Sequence, residues 1–164
     1  MSLLEAERLN SRHAPLTRTD TNVCELINEL VDDFFSRDRN RIRLELPDTE
    51  LRANVDEARI TLLLKNLIAN ALRYSRPDDG PVIVSAAAGD NELVLGVRDY
   101  GPGLSEDQAA HIGEPFYRSD KSRARESGGT GLGLYLANLV ATAHGGSLQL
   151  RDTGQSGAAF EVRI

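Results

Sequence analysis

Apolar residues recur at three-and-four spacing through Val23, Leu26, Ile27, Leu30, Val31, Phe34 and Phe35, the period of one helix face. Asn22 with Glu25 three residues on reads as the capping box that opens this helix. The period drops to two from Arg41 to Leu46, where Ile42, Leu44 and Leu46 share a face, and Pro47 closes the predicted strand. From Asp56 to about Tyr74 a second helix is predicted, with Ile60, Leu63, Leu64, Leu67, Ala71 and Leu72 as its stripe. Pro81 to Ala88 and Glu92 to Asp99 are apolar, β-branched runs joined by Gly89-Asp90-Asn91, a hairpin signal. Ser105 opens a short helix with Gln108 in capping-box position. The run Gly128-Gly129-Thr130-Gly131-Leu132-Gly133-Leu134 opens a third long helix, which His144-Gly145-Gly146 ends. Ser147 to Arg151 and Ala158 to Ile164 form a last hairpin. Strands in hairpin pairs with helices between them predict helices on one face of a mostly antiparallel sheet. Arg118 to Gly128 lacks periodic apolar residues and reads as a mobile loop, and Leu3 to Leu9 (LLEAERL) reads as a short helical end that Pro15 keeps from continuing.

Composition narrows the function. The 164 residues are enough for one domain with one core, and 40% hydrophobic with 27% charged residues is ordinary for a soluble protein. No apolar run approaches the ~20 residues of a bilayer span, so this stretch makes no membrane contact. Cys24 is the only cysteine, which excludes a disulfide framework and suits a reducing, cytoplasmic compartment. The net charge of -6 offers no basic face for nucleic acid.

Four constellations carry candidate chemistry. Asn66 and Asn70 stand four apart on the second helix, with Arg73 one turn further along the same face. Asparagines on a helix can simply meet solvent, but their neutral oxygens also suit a hard cation such as magnesium. Alternation from Leu93, Leu95 and Val97 places Asp99 on the apolar face of its strand, where a carboxylate must be paired or hydrogen-bonded. It could be satisfied by local amides in an Asx turn, or by a ligand donor that Gly101 and Gly103 allow to approach. Glu114 to Arg125 gathers positive charge in an acidic chain, as a solvated run or as part of a site. Four glycines before a helix N-terminus bare the unsatisfied amides of its first turn, and the helix dipole adds roughly half a positive charge, which together make an anion site. The spacing fits neither the GxxxxGK[ST] loop nor GxGxxG.

In this order, NLIANALRYS (Asn66 to Ser75), DYGPG (Asp99 to Gly103), EPFYR (Glu114 to Arg118) and GTGLGL (Gly129 to Leu134) resemble the N, first glycine, F and second glycine boxes of the ATP-binding catalytic domain of bacterial sensor histidine kinases. Each block is short; the four in sequence carry the likeness, which covers roughly residues 20 to 164. It implies a two-layer α/β (α+β) sandwich of the Bergerat type, with about five strands in a mixed, mostly antiparallel sheet and three long helices on one face, shared with gyrase, mismatch-repair and chaperone ATPases. It implies that Asp99 accepts the adenine amino group, that Asn70 holds Mg2+, that Asn66, Arg73 and Tyr74 lie along the phosphates, and that Arg118 reaches the terminal phosphate. Gly101, Gly103, Thr130, Gly131, Leu132, Gly133 and Leu134 would complete the ATP site, with Asn66, Arg73 and Arg118 as its catalytic residues. Residues 1–19 would be the remnant of a phosphoacceptor helix and linker, residues 20–164 the catalytic domain, and about 104–130 the ATP lid. The partners implied are ATP, a phosphoacceptor histidine domain of the same protein, and a response regulator, in a membrane-bound homodimer with this domain on the cytosolic side.

Three departures qualify the likeness. The hydrolytic relatives carry a water-activating glutamate four residues before the magnesium asparagine; that position is Asn66, so efficient hydrolysis is not expected. No histidine is followed by an acidic residue and proline in the phosphoacceptor pattern: His13-Ala14-Pro15 does not match, and His111 and His144 read as structural. Ala158-Ala159-Phe160 stands where the family often has threonine before the phenylalanine, leaving a threonine contribution to the adenine pocket in doubt. Two other classes stay open, a module that senses ATP without catalysis and a protein serine kinase of the anti-sigma type.

Overall fold

Helix α1 (Val23–Phe34) begins where Asn22 Oδ1 accepts the Glu25 amide, and it buries Val23, Leu26, Ile27, Leu30 and Val31 on one face. The computed structural model describes residues 15–104, 109, 111, 114, 132–152 and 157–164. Helix α2 (Glu57–Tyr74) starts at Asp56, whose side chain accepts the Arg59 amide, and buries Ile60, Leu63, Leu64, Asn66, Leu67, Ile68 and Ala71. Helix α3 (Gly133–Ala143) lies against α2. The predicted LLEAERL helix, most of the predicted helix from Ser105 and the whole predicted loop from Arg118 to Gly128 lie outside the described residues.

The main sheet runs β2 (Ile42–Glu45), β4 (Val82–Ala88), β5 (Leu93–Arg98), β7 (Ala159–Arg163), β6 (Ser147–Asp152). It is antiparallel except for β2, which pairs in parallel with β4. A parallel pair needs a long crossover, which the chain from 46 to 81, carrying α2, supplies. Leu93, Leu95 and Val97 of β5, Val82, Val84 and Ala86 of β4, and Phe160 and Val162 of β7 join buried residues from all three helices in one core. The solvent face instead carries the ion pairs Arg163–Glu92, Arg163–Glu161 and Arg151–Glu161. The two-layer sandwich with a five-stranded mixed sheet is therefore the fold.

Periodicity misses two elements. β1 (Thr19–Asn22) and β3 (Arg52–Val55) pair antiparallel in a separate two-stranded ribbon. Their sequences, TDTN and RANV, bury one residue apiece, so they carry no apolar alternation to read. The predicted start of β2 at Arg41 also moves, because Ser36–Arg41 closes as a 3-10 turn.

His144 ties the ribbon to the helices. Its Nε2 accepts the Asp56 amide at 3.1 Å, so the ring proton sits on Nδ1 and donates to Val140 O at 2.9 Å. Arg18 donates to His144 O and Asn54 O, and the Thr17 amide donates to Asp56 Oδ2. The structural reading of His144 holds. Burial pushes its pKa below the ordinary value of 6.5, with Arg18 and Arg59 acting in the same direction, and the Val140 hydrogen bond and Asp56 opposing. A depressed histidine pKa means that the unfolded chain takes up the proton first. The contribution is complete above about pH 6.5 and is lost as pH falls through the folded value. The thermal midpoint should therefore fall from pH 7 to pH 5 more steeply in the parent than in His144→Gln, and equal slopes would rule this out.

Candidate functional site

Three segments converge at the C-terminal end of β5. Asp99 follows the last residue of that strand and is 4% exposed, on the apolar face as alternation predicts. Its Oδ1 accepts the Gly101 amide at 2.9 Å, the Asx-turn contact, so the local partner foreseen for this carboxylate is present. Burial pushes its pKa above the ordinary carboxylate value, against the pull of hydrogen bonds from the Gly101 and Ala158 backbone and of Arg98. The ionised form is thus under-solvated, and a donor brought to it would be favoured.

Gly101 lets the last turn of α2 reach this strand end. A Cβ there would lie 2.6 Å from Tyr74 O and 3.1 Å from Asp99 Oδ1. The third segment enters through Gly157, which sequence reading missed although it singled out Ala158 to Phe160 just after it. Gly157 has φ +104°, and a Cβ on it would collide with the backbone of Asp99 and Tyr100. The next residue, Ala158, is buried, and its carbonyl accepts the Asp99 amide at 2.9 Å. A lone glycine just before an apolar strand was the available signal.

The N-box face is graded from core to solvent. Asn66 is buried, Asn70 half-buried, and Arg73 and Tyr74 exposed. Asn66 Nδ2 donates to Leu62 O one turn back at 2.8 Å, while its Oδ1 faces the first residue of α3: a Cβ on Gly133 would lie 3.2 Å from it. The amide of Asn66 is thereby engaged by its own helix, and α3 begins beside the asparagine row. No side chain caps the first turn of α3, and its N-cap is Leu132. Leu132 packs on Leu136 and Tyr135, and Leu134 on the main core, so a ligand would meet the backbone of these residues. Gly103 has φ +71°. Arg118, Thr130 and Gly131 lie outside the described residues. His111, half-buried, stands apart from this junction in sequence.

The arrangement joins a buried acceptor, a row of neutral oxygens leading to a cation, and an uncapped helix N-terminus. A protein family described as histidine kinase-, DNA gyrase B- and HSP90-like ATPase matches residues 55–164. The chain belongs to this ATPase family. Membership makes it a nucleotide-binding domain. Among curated relatives, the signal transduction histidine-protein kinase AfsQ2 of Streptomyces coelicolor is 35% identical over 167 residues, covering 99% of this chain and 29% of the relative. The ATPase domain thus spans less than a third of that relative's length. Among solved structures, the catalytic domain of histidine kinase ThkA superposes with a TM-score of 0.77 at 25% identity, covering 91% of this chain and 95% of ThkA's. Full-length ShkA in complex with AMPPNP gives 0.80 at 25% identity, covering 98% of this chain and 34% of that one. Among the described residues, no helix is long and apolar enough to cross a membrane, and no group of three or more His, Cys, Asp or Glu could hold a metal.

Proposed function

We propose that this chain is the ATP-binding catalytic domain of a sensor histidine kinase, which binds Mg-ATP and passes the terminal phosphate to a histidine on another domain. The observation that carries the reading is the buried Asp99, held at one oxygen by Gly101 and seated between the α2 terminus and Gly157. A buried carboxylate with a raised pKa suits the exocyclic amino group of adenine, which supplies the N–H donor that the site favours. In this reading Asn66, Asn70, Arg73 and Tyr74 lead from the base toward the phosphates, which meet Thr130, Gly131 and the amides of Leu132, Gly133 and Leu134.

Magnesium fits what the chain offers. Asn70, half-buried on the row from Asn66 to Arg73, supplies a neutral oxygen, and a cation that keeps its waters and leans on phosphates needs no acidic cage. When bound, Mg2+ would neutralise charge on the phosphates. Asn66 stands where a hydrolytic relative has glutamate, and a neutral carboxamide is too weak a base to take a proton from water; its Nδ2 donates to Leu62 O instead. Phosphoryl transfer depends on positioning and charge neutralisation, and a site without its own base still transfers once an acceptor is delivered. Arg73 and Arg118 would stabilise the transferred group. The acceptor would be a histidine domain of the same protein within a membrane-bound homodimer, with a response regulator aspartate next in line and this domain on the cytosolic side. Residues 1–19 would be the end of the phosphoacceptor helix and its linker, and 104–130 the ATP lid.

The test is calorimetry with and without Mg2+, followed by turnover assays. The chain should bind ATP with magnesium-dependent affinity and show negligible hydrolysis until a histidine-bearing helical domain from the longer protein is added, which should then be labelled from γ-32P-ATP. Asn70→Ala should remove most of the magnesium dependence. Robust hydrolysis by the chain alone, or an unaltered magnesium response in Asn70→Ala, would count against the assignment.

A further inference from the structure

The last turn of α2 is held from outside the site by a residue far away in sequence. Arg41 ends the 3-10 turn Ser36–Arg41, and its Nη2 donates to Leu72 O at 3.2 Å and to Ser75 O at 3.0 Å. Its Nη1 pairs with Asp38 Oδ1 at 3.3 Å. The final carbonyls of a helix have no intrahelical partner. Here the Ser75 amide and hydroxyl both take Ala71 O, Arg41 takes Leu72 O, and Tyr74 O abuts Gly101. A guanidinium at this end also complements the helix dipole. Arg73 and Tyr74, both exposed, project from the turn so enclosed.

We propose that Arg41 is a positioning residue for the nucleotide site, fixing the α2 terminus so that Arg73 and Tyr74 are pre-placed for the phosphates. The inference rests on the nucleotide reading above for what those two residues meet, but not for the clamp itself. Asp99 is held by the Gly101 amide and, across β5 and β7, by the Ala158 carbonyl, bonds that Arg41 does not make, so loss of Arg41 acts chiefly on the phosphate side and far less on the adenine side. Arg41 lies at the surface of the helix layer with its side chain 24% exposed, and its removal opens no hole in the apolar core.

The experiment compares Arg41→Ala, Arg41→Lys and Asp38→Asn in the full chain by NMR titration with Mg-ATP and with adenosine, and by amide exchange without ligand. Arg41→Ala should weaken Mg-ATP about tenfold, the equivalent of one charge-assisted hydrogen bond, while adenosine affinity stays within about twofold. Exchange of the Ser75 amide, bonded to Ala71 O, should accelerate in the same variant while β5 and β7 amides keep their rates. Lysine retains the cation and should recover part of both effects. Asp38→Asn leaves the two carbonyl bonds in place and should match the parent. Equal losses of ATP and adenosine affinity, or an unchanged Ser75 exchange rate in Arg41→Ala, would overturn the proposal; should alanine prevent folding, parent-like behaviour of Arg41→Lys in both readouts with the Asp38→Asn chain impaired would do the same. An unsubstituted chain that fails to bind ATP would overturn the function proposed above, and the exchange rates would still decide the clamp.

Discussion

Asp99→Asn abolishes adenine-nucleotide binding while leaving the fold intact: that is the expected result of an exchange that adds no volume. The Gly101 amide already holds one oxygen of the side chain, so an asparagine there turns its own oxygen to Gly101. Its NH2 then occupies the place of the second carboxylate oxygen, and a donor faces the donor of the base. Losing a hydrogen bond to a charged acceptor removes about 1.5–3 kcal/mol, and leaving a buried donor unmatched costs about 1–3 kcal/mol more. Together these amount to roughly a hundredfold or more in affinity. Because the ionised carboxylate is disfavoured by burial, the neutral amide should not lower the thermal midpoint. Calorimetry shows which holds: micromolar ATP affinity retained by a well-folded Asp99→Asn would remove Asp99 from the adenine site. Acidification tests the same group by another route. A carboxyl with a raised pKa is protonated earlier on the way down in pH, so ATP affinity should fall already above the ordinary carboxylate range.

Gly157→Ala is expected to do what Asp99→Asn does not, removing binding and stability together. At φ +104° an L-residue is strained by about 1–3 kcal/mol. The new methyl also meets the backbone of Asp99 and Tyr100, which cannot swing aside like a long side chain, and such overpacking costs about 1–3 kcal/mol again. Against a typical total of about 5–15 kcal/mol, a loss of about 2–6 kcal/mol is large. The measurement is chemical denaturation with an ATP titration at low temperature. A variant as stable as the parent would mean that the start of β7 is free to move, and the account of how Asp99 is seated would then be wrong.

These two positions differ in how visible they were. Asp99 was legible because strand alternation is a local rule: Leu93, Leu95 and Val97 fix which way the next odd residue points, and it lies buried beside them. The Asn66, Asn70 and Arg73 row was legible in the same way, from helical spacing alone. Gly157 was not, since its collision partner lies 58 residues earlier, across an antiparallel pair whose register no local pattern announces. Arg41 and His144 were hidden for a related reason. Each acts by hydrogen bonds with backbone groups of distant elements, carbonyls for Arg41 and the Asp56 amide for His144, and a backbone partner leaves no mark in the sequence of the residue that carries it. The ribbon of β1 and β3 escaped because each strand buries a single residue and so shows no apolar period.

By itself, then, the sequence determined the three helices, the strands of the main sheet, their buried faces and the residue types gathered at the proposed ATP site, because periodicity and caps act within a few residues. Tertiary structure alone decided that β2 runs parallel to β4, that one oxygen of Asp99 is already taken, that the amide of Asn66 turns back to Leu62, that Gly101 and Gly157 lie close against the backbone of Tyr74 and of Asp99 and Tyr100, and that Arg41 bonds the last carbonyls of α2. Those are matters of which distant backbones come within contact distance, and that is settled only when the layers pack.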